Sequence, residues 1–227
     1  NVGWAKWSSF NSSYQAWMFK RHSGFDVVTY KGNGTAGRQI PHSLNKAPEM
    51  VWCKGRDFTN VGQWNVWHKD LTAGYAIQLN TNAASSSNPD LFSSSNPSSA
   101  TTMTVGNSAH TNNSSYSYIM MLFSSISGIS KVGYYTGTGS DLDLDLGFTC
   151  RFLIIKRTDS DGHWMVFDSV RGINSGNEYF LRLNESDAQT AWSAADWVDP
   201  ITDGIRIVNS DADVNTNTGK YLYYAHA

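Results

Sequence analysis

The 227 residues carry 17 Lys+Arg against 19 Asp+Glu, a formal net charge of -2, together with 9 Trp, 11 Tyr and 10 Phe. The charges are scattered, with no basic stripe to follow a phosphate backbone, so nucleic acid is not an expected partner. Apolar runs such as FLIIK and YIMMLF fall far short of the roughly 20 residues of a membrane helix, so no membrane insertion is expected.

In chain order, the first feature is Asn1 with no basic-then-apolar leader behind it. The expectation is a processed chain or, preferred, one part of a longer polypeptide. A tyrosine-led apolar run follows at Tyr14 to Phe19, and the same kind of run returns at Tyr118 to Phe123 and Tyr221 to Ala225. Between the first two, strands are predicted near Asp26 to Lys31, Gln39 to His42, Met50 to Lys54, Trp64 to His68, Tyr75 to Asn80, Thr102 to Gly106 and Ser117 to Phe123. Val, Ile, Tyr, Trp and Thr fill them, and Gly/Asn/Ser clusters separate them, as a pleated sheet with tight turns requires. The tract NAASSSNPDLFSSSNPSSATT reads as the longest loop, a flexible surface excursion or an interaction loop. One stretch, Asn184 to Trp197, has helix formers but no sustained apolar stripe, and is expected to form at most a surface turn.

The second half then repeats the first. YKGNGT at Tyr30 returns as YTGTGS at Tyr135, MVWCK ending at Lys54 as LIIK ending at Lys156, QWNVWHK at Gln63 as HWMVFDS at His163, and YAIQLN ending at Asn80 as YFLRLN ending at Asn184, with offsets of 105, 102, 100 and 104 residues. Four matches in one order point to an internal duplication of about a hundred residues. The chain is accordingly divided into residues 1–23, the closing strand of a preceding copy, residues 24–127, the first copy, and residues 128–227, the second. The fold class is all-β, with each copy an antiparallel β-sandwich of the jelly-roll or concanavalin type.

Candidate sites come from residues that carry charge. Asp141, Asp143 and Asp145 alternate with leucines, which on a strand sets three carboxylates about 7 Å apart along one face. They are the candidate Ca²⁺ ligands, although the glycine and glutamate of an EF-hand loop are missing. A solvated strand face that discourages edge pairing is the preferred reading. His68, His163, Asp168 and Arg171 flank the two Trp strands and are the candidate ligand-binding residues. Trp64 and Trp164 themselves are expected to be buried equivalents. No catalytic residue is assigned: the only glutamates are Glu49, Glu178 and Glu185, and no Glu-x-Asp-x-x-Glu strand, nucleophile elbow or zinc spacing is present. Cys53 and Cys150 stand at unmatched positions and read as two buried thiols.

The stretch FDVVTYKGNGTAGRQIPHSLNKAPEMVWCK, then WNVWHK, YAIQLN, GHWMVFDSVRG and the closing YLYYAHA together resemble a repeated domain of unknown function in tail proteins of tailed bacteriophages, many from marine and cyanobacterial hosts. The resemblance covers both copies. It implies a concanavalin-type sandwich in a large virion protein, toward tail fibre or adhesion components, whose motif is structural and brings no catalytic residues. Cys150 where the first copy has Pro48, and the aspartate-rich strand, depart from a site shared by both copies. The expected function is a noncatalytic virion module in host-surface glycan adhesion or appendage assembly, without a cofactor. Its expected partners are other virion subunits, copies of itself or host polysaccharide. The alternative is a secreted carbohydrate-binding lectin or a sandwich-fold carbohydrate-active enzyme.

Overall fold

The computed structural model describes residues 18–21, 24–57, 62–93, 97–174 and 176–227, with the side chains of 190–194 left aside. The run from Tyr14 to Trp17, expected to pack as a closing strand, lies outside the described residues. Met18 and Phe19, at its end, are not in a strand.

The first half contains β1 (Phe25–Lys31), β2 (Arg38–Pro41), β3 (Met50–Gly55), β4 (Asn65–His68), β5 (Tyr75–Gln78), β6 (Ser86–Ser87), β7 (Thr102–Val105), the one-turn helix α1 (Ala109–Asn112) and β8 (Ser117–Phe123). The second half contains β9 (Ser130–Thr136), β10 (Leu142–Asp145), β11 (Phe152–Arg157), β12 (Trp164–Asp168), β13 (Asn177–Arg182), β14 (Thr190–Asp196), β15 (Val198–Ile201), β16 (Gly204–Ile207) and β17 (Lys220–His226). The seven strands expected in the first half are found to within two residues. The second half of the stretch from Asn184 to Trp197, expected to form at most a surface turn, is instead strand: β14 pairs with β13 along the sheet margin through a bulge. Helix propensity there yields to the hydrogen-bonding edge that β13 offers.

Each half builds one six-stranded antiparallel sheet, ordered β1-β8-β3-β4-β5-β6 in the first and β9-β17-β11-β12-β13-β14 in the second. The order is the same in both: opening strand, closing strand, then the rest in sequence. The leftover strands form small sheets, β2-β7 in the first half and β10-β16-β15 in the second. Because alternate residues of a strand face opposite ways, each large sheet has two apolar faces to cover. Val51, Cys53, Tyr118 and Met120 pack on β2 and β7 through Ile40, Met103 and Val105. Leu153, Ile155, Met165 and Tyr221 pack on the other small sheet through Leu144, Val198, Ile205 and Ile207.

The remaining two faces cover each other. Met50, Val66, Ile77 and Phe123 of the first half form one core with Ile154, Trp164, Val166, Leu222 and Tyr224 of the second. The molecule is therefore four layers deep, with a small sheet on each outside. Phe19 packs at the end of that central core, with ring centroids 5.1 Å from Phe25, 5.8 Å from Phe152 and 6.1 Å from Tyr224. The described part of the Ser/Asn/Pro tract is tied to the core. Leu91 and Phe92 are buried in the first half's core, and β6 adds to β5.

One feature is built alike in both halves. Tyr118 donates to the Ala109 carbonyl and accepts from Asn113 N, and Tyr221 does the same with Ala212 and Thr216. Each stacks on the tyrosine of the opening strand, Tyr30 at 5.3 Å and Tyr135 at 5.0 Å. The amide of Asn112 accepts from Asn33 N and that of Asn215 from Thr138 N, which pins the Gly-x-Gly turns. Only glycine fits at Gly32 and Gly137, where a Cβ would stand 2.0 Å from the Asn113 carbonyl oxygen and 2.2 Å from that of Thr216.

Candidate functional site

The chemistry-bearing groups lie in four places: the seam between the large sheets, the outer face of the β10 sheet, the strand ends near β12, and the margin where β13 meets β14.

His68 and Asp168 hold matching register positions, opposite Met50 and Phe152 respectively. Both are buried, not presented to solvent at a strand exit. His68 is 1 % exposed and its Nδ1 accepts from Asp70 N. Burial pulls its imidazole down to about 4, against the pull of the nearby Asp70 carboxylate. Asp168 accepts from the amides of Val170 and Arg171 at 3.0 and 2.9 Å, and its second oxygen pairs with the Arg171 guanidinium at 2.8 Å. These bonds fold the chain back after β12, so Asp168 and Arg171 close a turn.

His163 lies elsewhere, in a polar network at the other end of β12. Its Nδ1 is 3.1 Å from Glu185 and 3.0 Å from the Asn184 amide, and its backbone N–H donates to Asp213. Arg182 joins Glu185 at 3.3 Å. Beside this network Lys156 is completely buried and donates to the carbonyls of Asn82 and Arg157 at 3.1 and 2.7 Å. Burial pulls its ammonium down to about 8, opposed by Asp213 and Asp161. The Trp164 indole donates to the Gln78 carbonyl at 2.9 Å, Gly162 N to Asn82 O and Ser85 N to Thr158 O. Residues 78–85 of the first half are thus fastened to residues 156–164 of the second.

The expected pairing of Trp64 with Trp164 as buried equivalents needs correction. Trp164 is fully buried, whereas Trp64 is half-buried just ahead of β4. The repeat placed both on the same face of their sheets, but only Trp164 lies under the other half's chain.

Of the aspartates, Asp143 and Asp145 lie on β10, an edge strand, and Asp141 precedes it. Leu144 and Leu146 point into the core. Asp143 is held by Arg206 from the paired strand through two bonds, Nε to Oδ1 at 2.6 Å and a second nitrogen to Oδ2 at 3.0 Å. That guanidinium keeps its carboxyl below the ordinary carboxylate value. Asp145 accepts from Gly147 N. Among the described residues no three His, Cys, Asp or Glu side chains are gathered so as to hold a metal ion.

One group went unread in the sequence. Glu178 on β13 is 1 % exposed, and its Oε2 accepts from Trp197 N at 2.8 Å. Its Oε1, Asp196 Oδ1 and Asp199 Oδ1 are buried without hydrogen-bond partners among the described residues. Burial first, and Asp196 beside it, push the Glu178 carboxyl up to about 7. Asp196 is also raised, by burial and then by Asp199. No spacing rule joins position 178 to 196; they are neighbours because Asn177 pairs with Asp196 across β13 and β14. Cys53 and Cys150 are free, buried thiols, both pushed up to about 12 by burial.

Fold and site together define an all-β scaffold of stacked antiparallel sheets, with most of its charged side chains partnered inside the chain and no helix among the described residues long and apolar enough to cross a membrane. The chain belongs to the family described as Domain of unknown function (DUF7483), whose model matches residues 12–227 and so spans both halves. No curated protein and no solved structure matches it.

Proposed function

We propose that the chain is a noncatalytic module of a bacteriophage virion appendage, a tail fibre or a related part, that adheres to host-surface glycan or helps assemble the appendage. The observation that carries this reading is how its charged groups are partnered. Asp143 is held by Arg206, Asp168 by its own turn, His68 by the seam and Lys156 by two carbonyls. Such groups brace a scaffold, and recognition then falls to the polar, aromatic-rich strand ends. The tail-protein resemblance of the Tyr-Gly turns and Trp strands supports the virion setting.

The Glu178 and Asp196 carboxyls favour a second reading, a sandwich-fold carbohydrate-active enzyme, because a raised acid beside another carboxyl is what glycoside cleavage uses. A glycan array with the purified chain, followed by a reducing-end assay on every glycan retained, tests both. Sugar bound intact supports adhesion. New reducing ends that vanish in Glu178→Gln or Asp143→Asn establish the enzyme, and an empty array leaves assembly, to be checked by locating the chain in the particle.

A further inference from the structure

The seam between the halves is held differently at its two margins. Where residues 78–85 meet residues 156–164, the bonds run to main-chain carbonyls: the Trp164 indole donates to Gln78, the Lys156 ammonium and Gly162 N to Asn82, and Ser85 N to Thr158. Acid leaves these bonds as they are, because a carbonyl takes no proton in the range where carboxylates and imidazoles titrate and Lys156 already carries its charge there. The other margin lies against β9, the edge strand of the second large sheet. There His68, at the end of β4, is set against the Gly133 carbonyl.

His68 fits this margin only with a neutral ring. Its side chain is wholly buried, and Nδ1 accepts from Asp70 N at 3.2 Å inside a turn that Lys69 N and Leu71 N close on the Glu49 and His68 carbonyls. A proton on Nδ1 sets two N–H groups face to face and ends that bond. The acceptor in reach is then the Asp70 carboxylate, 3.8 Å from Nδ1 and 35 % exposed, and turning to it draws the ring out of the seam. The other groups around the ring give an imidazolium no counter-charge. Lys69, on the same turn, opposes a second positive charge. The Glu49 carboxylate, at the entry to β3, is engaged by Ser125 N and Oγ. From the second half β9 brings Tyr134 and β17 brings Tyr223, the latter with Asp145, Asp70, Cys150 and Glu49 bearing on it, and burial keeps both phenols neutral.

We infer that His68 is an acid-operated latch on one margin of the seam: when protonated it turns toward Asp70 and frees the end of β4 from β9, while the opposite margin and both large sheets hold. The inference stands whether the module adheres to glycan or builds the appendage. A released ring takes its proton at the ordinary 6.5, so each pH unit below that favours the released state about tenfold, until the latched ring is itself protonated near 4. The molecule thus opens in part ahead of global unfolding. The matching register position of the second half holds Asp168, whose carboxylate is engaged by its own turn, so the repeat places no second latch there.

The test is hydrogen–deuterium exchange of the whole chain at about pH 7 and about pH 4.5, read by mass spectrometry and corrected for the intrinsic pH dependence of exchange, with far-ultraviolet circular dichroism recorded alongside. The inference expects peptides spanning residues 66–71 and 130–135 to lose protection at least tenfold in acid, while those spanning 78–85 and 156–164 keep theirs and the dichroism is unchanged. In His68→Gln the carboxamide still accepts from Asp70 N but does not titrate, so the acid loss should vanish. Glu49→Gln removes the other acid-sensitive acceptor at that margin and should respond as the parent does. Asp70→Asn takes away the carboxylate that receives the ring, so release should need a lower pH, and this variant decides the matter if His68→Gln folds poorly at neutral pH. Retained protection in the acidified parent overturns the inference, as does an equal loss at both margins. So does an acid loss that persists in a folded His68→Gln or disappears in Glu49→Gln, and so does an unshifted release in Asp70→Asn.

Discussion

Trp164→Ala tests the seam most directly. The indole is fully buried in the core shared by both halves, and truncating such a side chain costs about 3 to 5 kcal/mol. The Gln78 carbonyl also loses its donor, which adds about 1 kcal/mol. A total of about 4 to 6 kcal/mol, at about 2 to 4 °C per kcal/mol for a chain of this size, lowers the melting temperature by about 10 to 20 °C. Trp64→Ala is the control on the same face. Its ring is half-buried and makes no indole hydrogen bond among the described residues, so the loss is about 1 to 2 kcal/mol. Both are measured by urea denaturation followed by far-ultraviolet circular dichroism, with slope as well as midpoint recorded, because two stacked halves need not unfold in one step. Equal losses in the two variants, or a parental midpoint in Trp164→Ala, refute the assignment of the seam.

His68 gives the chain acid sensitivity: its folded value of about 4 lies below the ordinary 6.5, so the unfolded chain binds the extra proton between them. Its contribution is fully present above pH 6.5 and is lost as pH falls toward 4, on the order of 3 kcal/mol, and His68→Gln should flatten the pH profile of urea midpoints in that window. Glu178 acts in the opposite sense, because a folded value near 7 against an ordinary 4.5 means that stability falls as pH rises from 4.5 through 7. In Glu178→Gln that decline should vanish, and an unchanged profile would show that the carboxyl is solvated. Asp143→Asn removes an exposed ion pair, so its melting temperature should stay within a degree or two of the parent's at moderate salt. Chelation by EDTA should likewise leave melting unchanged, and a drop would place a metal on the chain.

Local pattern was enough to find the seven strands expected in the first half, since period-two alternation and Gly/Asn/Ser turns act over a few residues, but not β14, whose residues read as a turn. The leucines of the aspartate strand point inward and its acids outward, as alternation requires, and the Tyr-Gly turns sit where the repeat puts them. One repeat escaped notice although it was there to read. Ser108, Ala109, Asn112 and Tyr118 return as Asp211, Ala212, Asn215 and Tyr221, a constant step of 103 residues, and the Asn112 and Asn215 side chains pin the two Gly-x-Gly turns.

Which faces meet was decided only by tertiary structure. A strand with apolar residues on both faces says that two layers cover it but names neither layer, and the sequence does not say that the two large sheets pack on each other. That packing buries His68 and Lys156 and gives Trp164 a carbonyl while leaving Trp64 half-open. The approach of Glu178 to Asp196 comes instead from the pairing of β13 with β14, which no sequence period announces. Spacing along the chain determined most strands of the first half because hydrogen bonding and alternation are local. The environment of each charged group depended on which sheet came to lie over it, and that rests on contacts between residues a hundred positions apart.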